Sequence, residues 1–170
     1  MQKPRLLPRN SFHFSIALLV VLFALAPPKE LQAQLPDQVE KMAAGITLTT
    51  PLLDSLDAFV KAIGSDPAVR AEMDASGKDP AMTPDKFGEV INSKYPKLAA
   101  AFKSAALTPD DFLKGNGALV GTAGAVELSN AGMSTGTDKT VQSNITFFKA
   151  NKDRCTATMN SLENLDKASK

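Results

Sequence analysis

Few of the side chains that carry out chemistry occur in this sequence. It has one histidine, one cysteine, one tyrosine and no tryptophan. The histidine, His13, falls in an N-terminal stretch that reads as a leader, so the working domain is expected to contain none. Without histidine a chain has no Ser–His–Asp or Cys–His nucleophile system, no His-ligated zinc and no His-ligated haem. One thiol excludes an intrachain disulfide and a Cys-x-x-Cys redox pair. No cofactor or metal is expected. Charge of one sign is lacking as well. The chain holds 19 Lys and Arg against 18 Asp and Glu, well mixed, with no basic footprint for nucleic acid. Basic and aromatic residues do not interleave as single-strand binding requires.

The N-terminus has the pattern of an export signal. Residues 1–15 carry Lys3, Arg5 and Arg9 with no acidic residue, and residues 16–26 (IALLVVLFALA) are apolar up to Pro27-Pro28. As a helix those eleven residues reach about 16 Å, half of the ~30 Å hydrocarbon core, which favours a cleaved leader over an anchor. Ala24-Leu25-Ala26 has the small-x-small form, but Pro27 follows it directly. Leu31-Gln32-Ala33 followed by Gln34 suits a signal peptidase better, so cleavage is expected between Ala33 and Gln34. The product is exported, periplasmic or extracellular, with no stable membrane span after processing. Removing residues 1–33 takes away four of the 19 Lys and Arg and one of the 18 Asp and Glu, which moves the formal charge from +1 to −2.

The expected organisation is a signal peptide over 1–33, a lead-in over 34–49 and one helical domain over 50–170. The lead-in holds a turn or two of helix around Val39 and Met42. Leu52, Leu53, Leu56, Phe59, Val60 and Ile63 form one apolar helical face after Thr50-Pro51, closed by Gly64. Asp66-Pro67 opens a shorter helix to about Ala75. Two further starts share the order apolar, Thr, Pro, Asp, x, Phe: residues 82–87 and 107–112. In each, Thr fits the N-cap, Pro the first turn, and Asp the positive end of the helix dipole. The flanking apolar pairs, Met82 with Phe87 and Leu107 with Phe112, stand at staple positions. Tyr95-Pro96 breaks one helix and restarts another. A last helix is expected from about Ser143 to Asp166, with Ile145, Phe148, Cys155, Met159 and Leu162 on its seam. The fold class is therefore all-α, an irregular bundle of about five or six helices.

Residues 112–133 are rich in glycine. Gly115-x-Gly117-x-x-x-Gly121 lacks the preceding strand that a dinucleotide loop needs. Gly117, Gly121 and Ala125 instead make a small-residue stripe at four-residue steps, a place for close packing or an apolar ligand. Carboxylates are the one catalytic resource left: Asp110 with Asp111, and Asp54 with Asp57 one turn apart. Capping and solvation account for both pairs. Cys155 follows Lys152-Asp153-Arg154; a free thiol there is read first as a small core residue. Asn144-Ile145-Thr146 meets the glycosylation sequon, with Ile145 on the packing face.

The function expected is an exported, non-catalytic helical binding or interaction protein whose partner is an unidentified protein or an apolar small molecule. One alternative is a carboxylate-dependent hydrolase of envelope polysaccharide. Another is a structural or assembly factor linked through Cys155.

Overall fold

The computed structural model describes residues 29–167, and among them every regular element is helical. Helix α1 spans Lys29–Ala43, α2 Thr50–Ser65, α3 Pro67–Ser76, α4 Phe87–Lys94, α5 Pro96–Ser104, α6 Pro109–Asn130, α7 Lys139–Ala150 and α8 Lys152–Lys167. A short 3₁₀ turn, Pro84–Lys86, leads into α4. Among the described residues the count is thus eight, not five or six. Two local events account for the difference. Residues 34–43, expected to hold a turn or two, belong to a complete helix packed on α6. The helix expected over 143–166 is interrupted at Asn151, whose amide donates to Phe147 O at 3.0 Å and Phe148 O at 3.2 Å while its side-chain amide donates to Phe147 O at 2.9 Å. Residues 1–28 of the expected leader, 1–33, lie outside the described residues, and its last five belong to α1.

The helix starts follow from their cap chemistry. Thr108 Oγ1 accepts from the Asp111 amide at 3.0 Å and donates to Asp111 Oδ2 at 2.7 Å. Asp66 accepts from the amides of Ala68 and Val69. Two details differ from the sequence reading. The cap of α2 is Thr49, accepting from Leu52 N at 3.3 Å, with Pro51 one position deeper than expected. Gly64 is inside α2, which stops at Ser65 because Asp66 is extended to cap α3. Thr83 caps no amide. It hydrogen-bonds the Asp85 carboxylate, which together with the Asp85 amide holds that group below its ordinary pKa.

Two apolar clusters form the interior. The larger is centred on rings from four helices: Phe59 of α2, Phe87 of α4, Phe102 of α5 and Phe112 of α6. Phe59 and Phe102 stack with centroids 4.0 Å apart, and Phe112 meets both edge-on at 5.0 and 5.5 Å. The smaller cluster joins Val39 and Ala43 of α1 to Ala125 and Leu128 of α6 and to Val141 and Ile145 of α7. Helix α6 serves both and has buried residues around most of its circumference. A helix buried on many sides must be narrow where neighbours approach, which accounts for Gly121 and Gly124.

The approach is closest at Gly121. A Cβ built there would lie 2.5 Å from Ala43 N and 2.7 Å from Met42 Cβ. At Gly117, one turn earlier, a Cβ would meet nothing within 4 Å. Gly121→Ala is therefore expected to destabilise by about 1–3 kcal/mol through overpacking. Gly117→Ala should stabilise by about 0.5–1 kcal/mol through helix propensity. Thermal melts of the two variants check this, and equal shifts would contradict it.

Candidate functional site

Of the small-residue stripe, the structure keeps two members in one contact. Gly121 and Ala125 are buried beneath α1, and Gly124 extends that contact, with Val39 Cγ2 3.3 Å from where its Cβ would be. Gly117 stands apart from it. The groove that the stripe would offer to a ligand is thus filled by Val39, Met42 and Ala43 of the same chain.

The connection from α1 to α2 is held by Asn144. Its Oδ1 accepts from Leu48 N at 2.7 Å, and its Nδ2 donates to Ala43 O at 2.7 Å and Ile46 O at 2.8 Å. Its side chain is 0 % exposed. One amide therefore satisfies the carbonyl at the end of α1 and two groups of the following loop, none of which has a helical partner. The sequence reading placed Ile145 on the packing face and saw in Asn144 only a sequon. The available signal was a polar residue between Val141, Ile145 and Phe148, all three buried. Asn144→Ala leaves those three backbone groups unpaired, two of them in the interior. Urea unfolding should show a loss of about 3 kcal/mol, and a loss below about 1 kcal/mol would remove the latch role.

The carboxylates named from sequence are separated into different tasks. Asp111 closes the cap of α6, and Asp110 Oδ1 lies 3.3 Å from where a Cβ on Gly88 would be. Asp54 and Asp57 both receive Arg154 of α8, and Asp57 Oδ1 also accepts from Thr158 Oγ1 at 2.7 Å. Arg154 thereby ties α8 to α2. Cys155 points inward with 0 % exposure, and burial pushes its thiol above the ordinary pKa, outweighing the Arg154 charge that acts the other way. Alkylation of the native protein should accordingly be slow and become rapid on unfolding, which a thiol-labelling time course measures.

Two polar clusters were not foreseen. Asp79 accepts from Lys94 Nζ at 2.8 Å, the Tyr95 hydroxyl at 3.1 Å and Ala81 N at 2.9 Å. The Lys94 hydrogen bond, then that of Ala81, holds the carboxyl below its usual range, while burial and Asp79 push the Tyr95 phenol up. Nearby, Glu72 of α3 accepts from the amides of Lys97 and Leu98, both at 2.9 Å. It caps α5, whose own N-cap residue, Tyr95, has no side chain able to do so. Beside the smaller apolar cluster, against which Ala44 packs, a shallow concavity of about 330 Å³ is lined by Asp37, Glu40, Lys41, Ala44 and Asp138. Asp138 also caps α7. The Glu40 carboxylate occupies the position that a Cβ on Gly136 would take.

Among the described residues no group of three or more His, Cys, Asp or Glu could hold a metal, and no helix is long and apolar enough to cross a membrane. Comparison of the chain with protein-family models, curated proteins and solved structures finds no match.

Proposed function

We propose that this chain is the precursor of an exported, non-catalytic helical interaction protein, released by cleavage between Ala33 and Gln34 and acting in the periplasm or outside the cell. The observation that carries the non-catalytic part is the assignment of its carboxylates. Asp54 and Asp57 hold Arg154, Asp111 closes a helix cap, and the two pairs serve separate elements. Glycoside hydrolysis needs two carboxyl groups facing one another across a cleft, one of them free to carry a proton. The export part rests on the basic and apolar pattern of residues 1–26.

A protein partner is favoured over an apolar small molecule. The small-residue stripe is occupied by α1, so an apolar ligand there would have to displace it. Met133, 45 % exposed, is the one large hydrophobic residue that stands out to solvent among the described residues. Recognition accordingly runs through polar surface, which includes the shallow concavity bearing Asp37, Glu40 and Lys41.

The test is affinity capture with the exported protein, followed by mass spectrometry for proteins and lipids. A protein recovered with the native chain should fall by about tenfold with D37K/E40K, a loss of roughly 1.4 kcal/mol. Recovery of lipid alone would favour the apolar-ligand reading. Release of sugar from envelope polysaccharide, abolished by D54N/D57N, would replace this reading with the hydrolase.

A further inference from the structure

The expected cleavage site lies within α1, where a protease needs extended chain. Helix α1 runs Lys29–Ala43 with Pro36 in its interior. A proline there has no N–H to donate to the carbonyl four residues back, and its ring crowds that carbonyl. The carbonyl concerned belongs to Gln32, on the leader side of the Ala33–Gln34 bond. From Pro36 onward the sequence is that of a helix beginning: Pro36-Asp37 repeats Pro84-Asp85 and Pro109-Asp110, which open the turn before α4 and helix α6. Pro suits a first turn, and Asp suits the positive end of the dipole. Val39 is buried against α6, and Ala43 presents its carbonyl to Asn144.

We infer that Pro36 positions the leader for removal: it confines unwinding to the turns before it, so that the Ala33–Gln34 bond becomes extended while α1 from Pro36 onward stays docked on α6. This rests on the processing reading above. The step itself is hydrolysis by a leader-removing protease. Water adds across the Ala33–Gln34 amide, the C–N bond breaks, Ala33 leaves with a carboxylate and Gln34 keeps the ammonium. Pro36 takes no part in that chemistry. After the cut, its missing hydrogen bond costs nothing, because the Gln32 carbonyl has left with the leader.

The experiment is a pulse-chase of the full chain in an export-competent host, with N-terminal sequencing of the product. Three chains are compared: native, P36A and P36G. Alanine makes the helix continuous across the scissile bond, whereas glycine keeps it weak. P36A should be processed more slowly than P36G by about fivefold, the ratio that corresponds to the Ala–Gly difference in helix propensity. P36G should stay near the native rate. Equal slowing of P36A and P36G, with the product still starting at Gln34, would mean that the protease reads the proline directly. That result overturns the positioning role and leaves the processing reading intact. A product starting elsewhere, or an uncleaved chain, overturns both.

Discussion

The missing side chain at Gly121 is the constraint from which the packing of α1 against α6 and α7 follows. With hydrogen at that position, the backbone of Met42 and Ala43 can lie directly on α6. No other residue permits a contact this short, because any Cβ would overlap main-chain atoms that cannot rotate away. Seating α1 there brings the Ala43 carbonyl within reach of Asn144 on α7, and the same amide then gathers Ile46 and Leu48. Thus the absent group on one helix, the end of a second and a buried amide on a third form one unit. The small apolar cluster of Val39, Ala43, Ala125, Leu128, Val141 and Ile145 fills the space that this unit encloses.

Around the larger cluster, packing is organised by rings and by shared caps. Phe59, Phe87, Phe102 and Phe112 come from four helices and meet in one place, so none of these helices buries its apolar face alone. Polar groups repeat this dependence at the surface. Glu72 supplies α5 with the cap its own sequence lacks, and Arg70 Nη2 donates to the Leu165 carbonyl near the end of α8 at 3.0 Å. Arg154 joins α8 to α2 through two carboxylates. Short helices of eight to ten residues are marginal in isolation, and here they persist because neighbours complete their ends.

These same uses bear on what the protein can do. Asp54 and Asp57 are engaged by Arg154, and Asp111 is engaged in a helix cap, so the two pairs do not face one another across a cleft. A thiol withdrawn into the core, with its pKa raised, is poorly suited to attack. The apolar interior is covered by the chain's own helices. The surface near α1 and the start of α7 carries a shallow hollow lined by Asp37, Glu40, Lys41, Ala44 and Asp138.

The sequence by itself determined the all-helical class, the apolar face of α2, and the starts at Asp66-Pro67, Pro96 and Pro109. Each depends on a residue and its immediate neighbours: an extended cap, a fixed proline dihedral, a periodic stripe. Tertiary structure decided the matters that depend on who stands opposite. Gly117 and Gly121 have the same spacing and the same propensity, yet only Gly121 has a backbone against it. Asn144 reads as a surface sequon until the loop from Ala43 to Leu48 is laid over it. The eighth helix arises because the chain turns at Asn151, and α1 is a full helix because α6 gives its short apolar face somewhere to go. Local rules mark where helices begin; the partners that complete them lie as many as 101 residues away in the chain, as Ala43 and Asn144 do, and no window of sequence contains both.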